Sequence, residues 1–139
     1  MNWIRRWFEH RTGPRHLRLG RSGEQVARRH LEEKGFRFLA ANYRHGRGEI
    51  DLVLRDGEVL VFVEVKSRSS EDWVRPAAAV DRDKQRILSD TALGYLAQLG
   101  HPRVPFRFDI VEVLFEGDDV REIRHLPDAF QLTAPRMYR

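Results

Sequence analysis

Three acids and a lysine, Glu49, Asp51, Glu64 and Lys66, interrupt two otherwise apolar runs at residues 49–55 and 58–67. Carboxylates gathered in one place repel one another, so a cluster of them needs a reason. A divalent cation supplies one, because Mg2+ prefers one or two carboxylates completed by water and phosphate oxygens. A lysine two residues after the second acid points to the same place. Its ammonium can orient or acidify an attacking water and neutralise charge building on a phosphoryl group, while the metal polarises the scissile phosphate. The chemistry is then metal-assisted phosphodiester hydrolysis. The competing account is a hydrated sheet face with salt bridges to Arg47, Lys66 or Arg68, and Glu-x-Lys on a strand does not by itself decide between the two.

These side chains meet only if the two runs pair. Asp56-Gly57 lies between them, and Asp-Gly between alternating apolar runs is the strongest short-range hairpin signal. With those two residues as the turn, Arg55 faces Glu58, Asp51 faces Phe62 and Glu49 faces Glu64. Directly opposed residues share a sheet face. Glu49, Asp51, Glu64 and Lys66 therefore line one face near the open end, with Val53, Leu60 and Phe62 covering its remainder. Ile50, Leu52, Leu54, Val59, Val61, Val63 and Val65 fill the other.

Around the hairpin, Ser22 and Gln25 have the spacing of a capping box, which predicts a helix over about 23–34 that stops at Gly35. "FRFLAANYRH" reads as a first strand with Phe36, Phe38 and Ala40 on one side. Ile87, Leu88, Ala92, Tyr95, Leu96 and Leu99 recur at helical spacing and predict a second helix over 82–99, with Lys84, Gln85 and Arg86 in its first turns. "PFRFDIVEVLF" and "VREIRHL" read as two last strands around the turn "EGDD". Asp109 interrupts the first of these and reads as structural, and the six histidines show no metal-ligand spacing. The order helix, three strands, helix, two strands predicts an α/β domain whose central mixed five-stranded sheet is flanked by helices.

The chain has 139 residues, 41% hydrophobic and 33% charged, the composition of one soluble globular domain. It has no cysteine, which excludes disulfides, thiolate-bound zinc and cysteine nucleophiles, and a cytoplasmic location is expected. No apolar run has the length of a signal peptide core or a membrane span. The net charge of +4 is unevenly placed: residues 1–23 hold six arginines against Glu9, and the remainder is slightly acidic. Residues 1–20 thus form a basic arm suited to a phosphate backbone, ahead of a single domain over 21–139. Trp3, Ile4, Trp7 and Phe8 share a helical side within that arm, but over so few turns they suit packing on the body or a partner better than a membrane surface.

Asp51, twelve intervening residues and then Glu64-Val65-Lys66 on the adjacent strand resembles the PD-(D/E)xK nuclease superfamily, with its restriction-endonuclease-like fold. Glu24, opening the preceding helix, matches the acid that Holliday junction resolvases of that superfamily carry there. "GEQVARRHLEEKGF", "NYRHGRGEIDLV", "VFVEVKSR", "KQRILSDTALGYL" and "RFDIVEV" together resemble the YraN-like family of small bacterial proteins, over about residues 20–130. The resemblance implies a Mg2+- or Mn2+-dependent endonuclease acting on DNA, branched or junction DNA included. It implies that Asp51, Glu64 and the Val65 carbonyl bind the metal, that Lys66 serves the water, and that Glu24 binds or orients metal or water. Ile50 stands where the superfamily has proline, which removes no ligand.

Arg44, Arg47 and Arg68 flank the acids and suit phosphates beside a scissile bond, or equally a balancing role against the carboxylates. The alternative function is a nucleic-acid-binding module that keeps the nuclease fold without cleavage, although a degenerate copy would usually have lost a ligand. An assembly scaffold leaves the shared register of acids and lysine unexplained. Symmetric cleavage of a junction would require a homodimer, and no stretch identifies its interface.

Overall fold

The computed structural model describes residues 15–69 and 80–133, with side chains from residue 23 onward. Most of the basic arm and its aromatic stripe lie outside the described residues. Helix α1 spans Arg15–Glu33 and is followed by β1 (Arg37–His45), β2 (Gly48–Asp56) and β3 (Val59–Ser69). Helix α2 (Arg82–Gln98) leads to β4 (Phe106–Glu116) and β5 (Asp119–Phe130). The strands form one five-stranded sheet in the order β1-β2-β3-β4-β5. All neighbours are antiparallel except β3 and β4, which are parallel and joined through α2. This mixed sheet between two helices is the restriction-endonuclease-like architecture. Among the described residues no helix is long and apolar enough to cross a membrane.

Helix α1 begins before the expected start at residue 23. Ser22 therefore lies within the helix and not at its start. Residues 15–19 are mostly Arg and Leu, good helix formers, and the helix extends over them through Gly20 and Gly23. Its end is as expected: the Phe36 N–H returns to the Leu31 carbonyl at 3.0 Å across Gly35. Helix α2 opens on Asp81, whose carboxylate accepts from the Lys84 N–H at 2.8 Å.

Each helix closes one face of the sheet. Ala27 and Leu31 of α1 pack with Ala41, Leu52, Leu54, Val61, Val63, Val111 and Val113. Leu88, Ala92, Tyr95 and Leu96 of α2 pack with Tyr43, Ile50, Val53, Leu60, Phe62 and Phe108. The central strands are therefore apolar on both faces, as a strand buried between two helices must be.

The hairpin register differs from the expected one. Asp56 pairs with Val59 and Leu52 with Val63, so the turn is Gly57-Glu58 and each β2 residue faces a partner two positions further along β3. Only Gly57 takes positive φ, at 60°, and glycine at the first turn position is the type II′ solution, whereas the expected turn required it of Asp56 as well. The shift is even, so it preserves the faces of β3. It moves the continuation of the ladder so that Asp51, not Glu49, approaches Glu64.

Two departures from alternation also correct the expected faces. A bulge between Phe38 and Ala40 sends Phe38 under α1 and Ala40 under α2. Further along, Tyr43 and Ile50 pair beneath α2, while their neighbours Ala41 and Leu52 pair beneath α1. Asn42, in the left-handed region at φ 50°, breaks the period of β1 there, and β2 breaks with it at Asp51. Ile50 thus joins the α2 face, opposite to Leu52 and Leu54.

Asp109 is fully buried and structural. It accepts from Arg107 Nε at 2.9 Å, from the Asp128 N–H at 2.9 Å and from His125 Nε2 at 2.7 Å. Lys34 Nζ lies 3.0 Å from His125 Nδ1 and can only donate, so that nitrogen accepts and Nε2 carries the proton. Burial pushes the Asp109 carboxyl up, but the bonds from His125, Arg107 and the Asp128 amide outweigh it and hold the group below its ordinary 3.8. A depressed carboxyl contributes stability that is present above the unfolded value and lost as pH falls through the folded one. Asp109→Asn should therefore cost about 2 kcal/mol at neutral pH, since an amide turns a donor toward these donors. The gap between wild type and variant, followed by thermal melting, should close as pH falls below 3.8. A gap that stays constant to the lowest pH at which both fold would mean that Asp109 is not ionised.

Candidate active site

The end of the β2-β3 ladder makes the site. Beyond the Leu52–Val63 pair, Asp51 Oδ2 accepts the Val65 N–H at 2.7 Å, so a side-chain carboxylate stands where the next backbone acceptor would be. The break in alternation at Asp51 lets its side chain serve the strand edge instead of one face. Glu64, 6% exposed, projects from β3 toward α2, on the side of Phe62 and Leu60. Lys66, two residues on, projects from the same face and is half-buried.

The electrostatics of Asp51 record this crowding. Burial, a hydrogen bond with the Glu64 carboxyl and the charges of Glu64 and Glu24 push Asp51 well above its ordinary 3.8, opposed by the Val65 N–H. Two carboxyls this close cannot both ionise without cost. Glu24 approaches from α1, where Gly23 lies so close to Ser67 of β3 that an added Cβ would fall 1.8 Å from its Oγ. Asn42 Nδ2 donates to Glu24 Oε1 at 3.4 Å, and this link uses the same residue that breaks β1.

Glu49 does not join this group. It lies before the break, against Arg44 Nε at 3.4 Å, and the carboxylates acting on Asp51 are Glu64 and Glu24. Arg44 and Arg47 are exposed at the β1-β2 turn. Arg68 Nε instead lies 3.3 Å from Glu112 Oε2.

Two residues beyond those assigned from the sequence border the site, one unforeseen and one only weighed among the polar residues that open the second helix. Glu112 of β4 is 1% exposed, stands beside Lys66 in the parallel register, and faces the positive charges of Arg68, Arg124 and Lys66. Burial pushes its carboxyl up and those cations pull it down, with a net rise. An acid in the apolar run "DIVEVLF" was the available signal. Lys84 of α2 is the other: its Nζ lies 3.3 Å from Glu64 Oε2. It stood in a polar first turn, which in most helices only meets solvent.

A divalent cation suits this donor set. Asp51 and Glu64 are held together at a cost that a cation would relieve, and Glu64 Oε2 is buried without a hydrogen-bond partner of good geometry. Among the described residues no three acidic or histidine side chains converge into a full cage. Two carboxylates with water and substrate oxygens are the pattern of Mg2+ rather than of a caged ion.

The model of the Uncharacterised protein family UPF0102 matches residues 23–113, a span containing Glu24, Asp51, Glu64, Lys66, Lys84 and Glu112. A UPF0102 protein of Chlorobaculum tepidum is 45% identical over 119 residues, 82% of this chain and 92% of the relative. One from Syntrophus aciditrophicus is 45% identical over 120 residues, 86% and 94% of the two chains. One from Symbiobacterium thermophilum is 46% identical over 113 residues, 81% and 96%.

Proposed function

The chain belongs to family UPF0102, the YraN-like proteins, and on that premise we propose that it is a divalent-metal-dependent endonuclease hydrolysing phosphodiester bonds in DNA. The observation that carries this reading is the enforced proximity of Asp51 and Glu64 at the open end of the β2-β3 ladder, with Lys66 on the face of Glu64. A sheet evolved for stability alone would not bury one carboxyl against another, where ionising both costs free energy.

Asp51, Glu64 and the Val65 carbonyl would hold Mg2+ or Mn2+, which when bound polarises the scissile phosphate and lowers the pKa of water. Lys66 orients the attacking water and offsets charge gathering on the phosphoryl oxygens. Glu24, steadied by Asn42, orients the water from the α1 side. Arg44 and Arg47 reach from the β1-β2 turn to the phosphate backbone, where exposed guanidinium groups grip oxygens in pairs. Arg68, already engaged with Glu112, serves the same strand by fixing the border of the site. The basic arm adds sequence-independent contacts with phosphates.

The test is incubation of the full chain with Mg2+ or Mn2+ and a panel of linear, flapped and four-way-junction DNA, with matched RNA. Cleavage of DNA that stops with chelator supports the reading, and a preference for the junction would assign the branched substrate. Salt-sensitive binding to the same DNA with no cleavage under any metal would replace it with a binding module that keeps the nuclease fold.

A further inference from the structure

We propose, resting on the metal-dependent reading above, that Lys84 is a built-in competitor of the metal: its ammonium occupies the cation position on Glu64, and a divalent ion binds by displacing it. The two ends of this ion pair differ in freedom. The Glu64 side chain is 7% exposed and cannot leave, whereas that of Lys84 is 44% exposed and can swing into solvent. The pair is close, at 3.3 Å, but Glu64 Oε2 lacks the directional geometry of a hydrogen bond, so attraction between charges holds it and no shaped socket does. The root of Lys84 is fixed, since its N–H is bound by Asp81 at the start of α2, and only the flexible stem has to move. A lysine in this place keeps a buried carboxylate neutralised before the metal arrives. Once displaced it remains tethered at the mouth of the site, where its charge meets an anionic strand. An ion pair that merely ties α2 to β3 would show none of this competition.

Calorimetric titration of the full, metal-free chain with Mn2+ separates the cases. Lys84→Met should lower the Mn2+ dissociation constant by about fivefold at low ionic strength, the scale of a partly exposed ion pair. Lys84→Arg keeps a cation against Glu64 and should stay within about twofold of wild type. Arg86→Met is the charge control: Arg86 stands in the same turns, pairs with Asp83 at 3.2 Å, and its loss changes net charge equally. It should leave the constant unchanged. Equal constants for Lys84→Met and wild type, even with a lowered melting temperature, would assign the pair to helix docking and overturn the proposal. Equal tightening by Lys84→Met and Arg86→Met would also overturn it, since the effect would be long-range charge. Absence of Mn2+ binding in wild type and Lys84→Met alike would instead overturn the metal-dependent reading itself.

Discussion

Asp51→Asn, Glu64→Gln and Lys66→Ala should each reduce metal-dependent cleavage by about a hundredfold or more, the range for removing a group that acts on the transition state. None should unfold the protein. An asparagine at 51 keeps a carbonyl oxygen for the Val65 N–H, which is the structural duty of Asp51. Glutamine at 64 keeps the volume of the buried side chain while removing the charge that draws in both Lys84 and a cation. Lys66 is only half-buried, and its loss leaves Glu112 against Arg68. Glu49→Gln is the informative companion, because Glu49 sits outside the carboxyl group at Asp51 and should change the rate little. Initial rates under saturating Mn2+, with far-UV circular dichroism of each variant, check this. Wild-type rates in all three would sink the assignment, whatever Glu49→Gln does.

The second large effect is thermal. Mn2+ at about a hundredfold excess over its dissociation constant should stabilise the chain by about 2.7 kcal/mol through ligand linkage. For a domain of this size that raises the melting temperature by roughly 8 °C. The sign of its pH dependence follows from Asp51, whose folded carboxyl is raised by burial, Glu64 and Glu24. A raised carboxyl contributes stability that is full below the unfolded value of 3.8 and declines as pH rises through the folded value. Above that folded value, the metal-free protein therefore carries a repulsion that a cation removes. Because the ligands must lose their proton to bind, the Mn2+-induced rise should be larger at pH 8 than at pH 5. Glu64→Gln should abolish the rise and leave the metal-free protein as stable as wild type or more so, since the relieved repulsion offsets the lost pair with half-exposed Lys84. Melting curves with Mn2+ or chelator at matched ionic strength measure all of this. Identical shifts in wild type and Glu64→Gln would remove Glu64 from the ligand set.

The order and kind of every described element was legible because periods and stop signals are local. Period-2 apolar runs, Gly35 and Gly100 after helical stripes, and three glycine-bearing turns define seven elements whose bounds follow the chain. The spacing from Asp51 to Glu64-Val65-Lys66 put the candidate site at the open end of one hairpin, and in the folded chain Asp51 lies against Glu64 and the Val65 N–H. What the local signals lacked was register and partnership. Asp-Gly announces a turn, but which two residues occupy it depends on whether Asp56 can take positive φ, and pairing along β3 decided that it does not. The break at Asn42 and Asp51 leaves no mark in an apolar pattern, because Ala41, Tyr43, Ile50 and Leu52 are apolar whichever helix they face. Lys84 meets Glu64 twenty residues away only because α2 returns over β3, and Glu112 meets Lys66 only through a parallel pairing that no hairpin enforces. Electrostatic partners of this kind are set by distance in space, and a one-dimensional pattern carries distance only for residues a few positions apart.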